Sequence, residues 1–511
     1  MTCENRVNDE QTTRIARAAV RSTSMSAMST KTDRQRTVAE QAPGAGSRFI
    51  DDPNWRRSLI VAVMALFVFG FSYWDSSSQL RTSPFHPDES RWINRAYYLR
   101  ETLDPLGPVW TDRYLIRGQP PMGSYITGIG LLAQGRDLTT NGPWDFQFGF
   151  ESNVAWNVTR GNMPTESDLI AVRRANMVIG AMTCVALFLI VSQLTNLAGG
   201  IAAAVFLAIH PLHQYLATLG TSDAVFTTFV ALSVLAAIWL AKRPSWWRAL
   251  LFALAMAAGA STKLSPLALA VGMGMTGVVL LLDLWLRRLP YIGKPWSWIS
   301  RTERGTERKL GWMLTIQPVL VSMLFIISYP YLWPAPIERT RILFDFRRFE
   351  MNNQAGFWPQ AAITSRIEAV ERSWQNLNER YSSSDRLIAA LGDLFGQEWF
   401  GLGIDLYVAT PGIASLIFLA WRNGIASPHA LATLTIGGQS ALILAALGVD
   451  FNRYYLPLLF TAAMGVGVFF GCLGEWLLTA FRRMSHHRTS PVFQRSNSRL
   501  ETVTATKRYQ S

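Results

Sequence analysis

The chain has little of what a soluble enzyme relies on. Only 16% of its 511 residues are charged, against roughly a quarter in soluble domains. It has three cysteines, Cys3, Cys184 and Cys472. The last two sit inside apolar stretches, and no spacing fits a zinc site or a disulfide framework. No Walker motif occurs, and no GxGxxG preceded by a strand-like run, so nothing points to ATP-driven work. No internal repeat recurs at a fixed period. Residues 1–56 lack apolar runs and are rich in Ser, Thr, Arg, Gln and Ala. The expectation there is a disordered cytosolic tail rather than a signal peptide or a folded domain. Residues 481–511 have the same character and form a basic cytosolic C-terminal tail.

What is present is apolar and clustered. Hydrophobic residues make up 49% of the chain, with 19 tryptophans. They fall in blocks at 58–74, 172–194, 199–217, 222–241, 247–263, 265–286, 312–333, 406–421, 430–448 and 454–478. Most are about as long as a bilayer-crossing helix requires, which predicts an all-α polytopic membrane protein with about ten transmembrane helices. The membrane domain is expected over 57–480.

The net charge is +13, from 48 basic and 35 acidic residues. In a soluble protein that excess would suggest nucleic acid. Here it collects in the tails and beside the apolar blocks, as the positive-inside rule requires. With a cytosolic N-terminus, Lys242, Arg243 and Arg248, the basic stretch 287–309, and Arg482-Arg483 all face the cytosol. The loop 211–222 has no Lys or Arg and faces out. The scheme holds only if the short, Gly-rich segment 119–134 does not cross and lies on the outer surface as an amphipathic or re-entrant helix. Two large outer loops result, 80–171 and 334–405. The second, with Trp358, Trp374 and Trp399, is expected to cap the membrane surface. The whole reads as a multi-pass plasma-membrane protein with both termini cytosolic.

The charged residues able to do chemistry fall on the outer side in this scheme. His86-Pro87-Asp88-Glu89 follows the first span and offers a general base or a metal ligand. An acidic helix start would explain the same residues. Asp223 opens an apolar helix, as an N-terminal acid or as a site residue. Arg453-Tyr454-Tyr455 sets a planar guanidinium beside two rings, a clamp for a phosphate or sugar or an interfacial anchor. Lys263 lies in a tight hairpin, as a phosphate contact or a snorkelling lysine. His210 and His213, with His86 on the same side, raise a metal site, although no close ligand spacing fixes one.

The order of these motifs resembles the lipid-carrier-dependent glycosyltransferases of the GT-C fold, which include the dolichyl-phosphate-mannose protein mannosyltransferases and the lipid A aminoarabinose transferases. The residues that carry the resemblance, over 58–480, are His86-Pro87-Asp88-Glu89, Gln119-Pro120-Pro121-Met122-Gly123, Arg173-Arg174-Ala175-Asn176, Asp223, Lys263 and Arg453-Tyr454-Tyr455-Leu456-Pro457. It implies a GT-C-like bundle whose large first extracytosolic loop carries juxtamembrane helices. It also implies transfer of a sugar, as a hexosyl or related glycosyl group, from a polyprenyl-phosphate carrier to an acceptor hydroxyl, with inversion. In that scheme Asp88, with Glu89, is catalytic. Arg453, Tyr454, Lys263, Arg117 and Gln119 bind donor phosphate or sugar. Asp223 and His86 orient the acceptor or hold a divalent ion (Mg, Mn or Zn), although no cofactor is required. The implied partners are the bilayer, the lipid-linked donor, and an acceptor protein, lipid or glycan; nucleic acid is not among them. Gln119 departs from the Lys or His that the family often has before its Pro-Pro pair. The stretch 135–167 reads as an insertion, and within it Asn157-Val158-Thr159 is a glycosylation sequon. The competing function is a non-enzymatic transporter or flippase for a lipid-linked sugar, which interrupted helices and inverted repeats would favour.

Overall fold

The computed structural model describes residues 53–138, 147, 154–287, 304–396 and 403–488. The expected tails therefore lie almost wholly outside the described residues, as does most of the basic stretch 287–309. The chain divides into two units, Met1–Val63 and Met64–Ser511. Of the first, only the opening of helix α1 (Pro53–Ser77) is described. All the other helices, and the candidate site, belong to the second.

The described residues form helices joined by loops, with a single isolated antiparallel bridge between Ala362 and Val449. After α1 come α2 (Pro87–Asn94) and α3 (Met122–Leu132), then α4 (Glu166–Leu194), α5 (Leu197–Ile209), α6 (Pro211–Thr218), α7 (Ser222–Lys242), α8 (Trp246–Ala260) and α9 (Ser265–Leu286). The second half holds α10 (Arg304–Thr315), α11 (Gln317–Ser328), α12 (Pro336–Phe357), α13 (Arg366–Gln375), α14 (Ser384–Phe395), α15 (Asp405–Asn423), α16 (Pro428–Ala446) and α17 (Leu456–Arg488). Local sequence sets several starts. Thr165, Asn196, Ser245 and Ser427 each cap a helix by accepting a backbone N–H, which satisfies a donor the helix itself cannot.

Every predicted apolar block is helical. Among the described residues, seven helices are long and apolar enough to cross a membrane, with α10 and α11 counted as one. The block 199–217 is not one straight helix: α5 and α6 meet at 65°. Pro211 supplies no N–H and crowds the preceding turn, so the helix stops and restarts at His210. The Nδ1 atom of His210 accepts the Leu212 N–H at 3.3 Å. If this bent pair is one span, the number rises to eight. At 15 residues, α8 extends only about 22 Å, short of a hydrocarbon core about 30 Å thick. By the same measure α3, with 11 residues, is about 16 Å long and cannot cross. Instead it packs on α4, where Gly130 leaves no room for a side chain against Ala175.

The centre of the bundle is α7, the most enclosed of the seven. It packs on α4, α8, α16 and α17. Close approach elsewhere depends on small residues, as expected where lipid gives helices little hydrophobic reason to associate. A Cβ at Gly412 of α15 would overlap the Gly465 carbonyl of α17. This packing brings one end of α7, the α8–α9 turn and the start of α17 together, and residues of both large loops join them around one cavity.

Candidate active site

The first-loop acids lie at the start of α2 and point to different places. Pro87, Asp88 and Glu89 are its first three residues, capped by His86. The His86 Nδ1 accepts the Asp88 N–H at 3.2 Å, and Glu89 returns to accept the His86 N–H at 3.0 Å. This reciprocal box fixes the turn. Burial, and secondly the nearby Arg453 guanidinium, push the His86 pKa below its usual value. The ring is therefore held as a neutral acceptor and caps the helix.

Glu89 is fully buried. It forms a fork with Arg173 of α4, both contacts at 2.8 Å, and accepts the Gly220 N–H at 2.9 Å. Arg173 spends its remaining donors on the carbonyls of Leu80, Ser83 and Pro84, at 3.0–3.1 Å. Every N–H of the guanidinium is thus satisfied, which is what makes so buried a charge tolerable. One turn further along α4, Asn176 donates to the Leu219 and Thr221 carbonyls. The Arg173–Asn176 face therefore ties the Asp88 loop to the loop ahead of Asp223. Gly220 is needed there, because a side chain would strike Val172.

Asp88 faces the other way, into a cavity of about 340 Å³. Asp223, Lys263, Arg453, Tyr454 and Gln119 line the same cavity. These residues come from α2, α7, the α8–α9 turn, the turn before α17 and the segment before α3. The acids and bases are paired: Arg453 with Asp88, and Lys263 with Asp223. Both cations lie against the Tyr454 ring, Lys263 Nζ at 5.3 Å and the Arg453 guanidinium carbon at 5.4 Å from its centroid. The negative face of that ring helps hold two like charges near each other.

The Arg453 segment is itself anchored. Asp450 accepts from Tyr455 at 2.6 Å, Asn376 at 3.0 Å and Arg372 at 3.2 Å. The Ala362–Val449 bridge lies beside this hub. The second large loop is therefore fastened to the strip of chain that presents Arg453.

Several expected site residues lie elsewhere. Glu89 does not line the cavity, since its carboxylate is consumed by Arg173. Arg117 is also outside the lining; it pairs with Asp112 at 3.0 Å and lies over Phe346 at 5.7 Å. His210 and His213 are buried within the α5–α6 region, and His213 is near Cys184 at 3.8 Å. Among the described residues no group of three His, Cys, Asp or Glu side chains is placed to hold a metal ion. The cavity acids already face cations, so this donor set does not fit a divalent ion. Asn157 of the sequon is fully buried and bonded to Gln147 and Asn162, so its amide is not presented for modification.

The cavity also has a wall that the motif reading missed. From α12 come Phe344, Arg347, Glu350, Met351 and Gln354, and from α2 come Arg91 and Trp92. The signal was present in the spacing, since positions 347, 350 and 354 share one helical face. Arg91 likewise follows Asp88 by one turn.

The chain is a multi-pass membrane protein, and part of it matches a known family. The family model for dolichyl-phosphate-mannose-protein mannosyltransferase matches residues 154–300. That stretch contains Asp223 and Lys263 but neither Asp88 nor Arg453. No curated protein matches the chain in sequence. Among solved structures, the oligosaccharyltransferase AglB of Archaeoglobus fulgidus, in complex with an inhibitory peptide and a dolichol-phosphate, is similar at 10% identity and a TM-score of 0.46, over 83% of this chain and 52% of that one. ArnT of Cupriavidus metallidurans, bound to undecaprenyl phosphate, is similar at 14% identity and a TM-score of 0.42, over 81% and 59%. The chain thus spans little more than half the length of either protein.

Proposed function

We propose that this protein is a membrane glycosyltransferase, which moves a sugar from a polyprenyl-phosphate carrier to an acceptor hydroxyl at the extracytosolic face. One observation carries the reading. Residues 88, 223, 263 and 453, remote in sequence, line a single cavity as two acid–base pairs on a shared aromatic ring. The partial match to the mannosyltransferase family model supports it.

The chemistry follows from the charges. A polyprenyl-phosphate sugar is a phosphodiester with one negative charge. Its phosphate displaces Asp88 from Arg453 and sits between Arg453 and Lys263 over Tyr454. Asp88 is then free to accept the proton of an acceptor hydroxyl. The acceptor oxygen bonds to the anomeric carbon as the bond from that carbon to the phosphate oxygen breaks. Its electron pair leaves with polyprenyl phosphate, and displacement from the opposite face inverts the anomeric centre. Negative charge on the leaving phosphate grows during the step, where fixed cations count most. Asp223 holds Lys263 in place and orients the acceptor. No step runs through a metal ion.

Transport of an intact carrier is the rival outcome. Interrupted helices would suit it, but His210 and Pro211, at the α5–α6 break, do not line the cavity. The test is to reconstitute the full chain in liposomes with labelled polyprenyl-phosphate mannose or glucose. Release of polyprenyl phosphate with formation of a glycosylated product or free sugar supports the proposal. Movement of intact donor across the bilayer, with no release, contradicts it.

A further inference from the structure

We infer that one face of α12 is the subsite that reads the sugar of the donor. This rests on the transferase reading. Outside the two ion pairs assigned to the chemistry, α12 brings a tight group of polar side chains to the cavity: Arg347, Glu350 and Gln354. They project from consecutive turns of one helix, so their mutual spacing is fixed by the backbone.

Contacts at each end place this face across the cavity. Gln354 faces the Tyr454 hydroxyl at 3.5 Å, next to the ring that carries both phosphate-binding cations. Arg347 reaches the Gly118 carbonyl at 3.4 Å, beside Gln119 on the lining. Between them Glu350 accepts from Arg347 at 2.5 Å and from the Tyr114 hydroxyl at 3.2 Å. The sugar is bonded directly to the phosphate, so it lies against whatever adjoins the Arg453–Lys263–Tyr454 cluster. The α16 side is aliphatic, with Leu442, Ile443, Ala446 and Leu447, and offers hydroxyls no side-chain partner. The α12 face offers a carboxylate, a carboxamide and a guanidinium.

The charge of this face narrows the ligand. On this face Arg347 and Glu350 neutralise each other. An amino sugar bearing a positive charge finds no uncompensated acid there. A neutral, polyhydroxylated pyranose finds acceptors and donors already held in position, and sites that hydrogen-bond hydroxyls discriminate strongly against ligands lacking them.

The test uses the full chain in nanodiscs, as wild type, Glu350→Gln and Gln354→Ala. The probes are bare polyprenyl phosphate, polyprenyl-phosphate mannose and glucose, and their monodeoxy derivatives. Each variant is expected to lose about tenfold to a hundredfold in affinity for its preferred sugar-bearing carrier. Bare polyprenyl phosphate should bind as to wild type, and discrimination against one deoxy position should collapse. Gln354→Ala removes a partly exposed side chain, so it reports even if Glu350→Gln disturbs the Arg347 pair. Equal losses for bare and sugar-bearing carriers, or unchanged deoxy discrimination, would overturn the assignment and leave the transferase reading intact. A wild type that binds no polyprenyl-phosphate species would overturn both.

Discussion

Asp88 and Glu89 are neighbours in sequence with opposite surroundings. Each pairs with an arginine, yet one pair is sealed and the other lines a cavity. Glu89 accepts two hydrogen bonds from Arg173 in full burial, with every guanidinium donor occupied. Asp88 and Arg453 face the cavity, and both remain partly accessible. A closed pair holds the loop; a pair at a cavity wall can be opened by an anion that competes for the arginine. Consecutive helical positions differ by about 100° in direction, which suffices to send one acid inward and the other to the site.

The comparison can be broken most sharply by substituting each side in turn. Asp88→Asn should lower transfer by about 10²–10⁴-fold, the usual contribution of a general base, with the unfolding midpoint unchanged. Losing transfer and thermal stability together would mean that the two acids do the same job. On the sealed side, Glu89→Ala should destabilise by about 3–5 kcal/mol, because Arg173 would be left as an uncompensated buried charge. Chemical denaturation in detergent would measure it, and a loss below about 1 kcal/mol would contradict the burial argument. Asp450→Ala, which removes three accepted hydrogen bonds, should cost about 1–3 kcal/mol. It should also raise the KM for donor by loosening the Arg453 segment. An unchanged KM would detach that hub from the site.

The smallest effect expected is one of pH. Burial, then Arg453, hold the His86 pKa below its unfolded value of about 6.5. Between the folded and unfolded values the unfolded chain binds more protons, so stability falls as pH drops below about 6.5 and is fully present above it. Protonation would also cost the cap its Nδ1 acceptor. His86→Asn retains a capping oxygen without titrating, so its unfolding midpoint should be flatter between pH 7.5 and 5.5. Parallel profiles for variant and wild type would remove His86 from the account.

Much of the bundle was legible because lipid imposes a simple rule on composition. The apolar blocks are all helices, and segment 119–134 contains a helix too short to cross. The break at His210–Pro211 was written in the sequence, but hydropathy averages over it. At the site, sequence order brought forward Asp88, Asp223, Lys263 and Arg453 without showing that they meet. It could not separate Asp88 from Glu89, because adjacency along the chain says nothing about facing. Arg117 stands among the donor-binding residues only through the family resemblance; its partner is Asp112. The α12 wall was hidden because a charged loop helix resembles a surface cap until its neighbours are known.

Asp88→Asn most directly tests whether Asp88 and a phosphate compete for Arg453. Turnover of a polyprenyl-phosphate sugar and affinity for bare polyprenyl phosphate would be measured on the same reconstituted preparation. The competition predicts that turnover collapses while polyprenyl phosphate binds more tightly than to wild type, because Arg453 has lost its internal rival. Unchanged turnover, or weaker binding of polyprenyl phosphate, would contradict it.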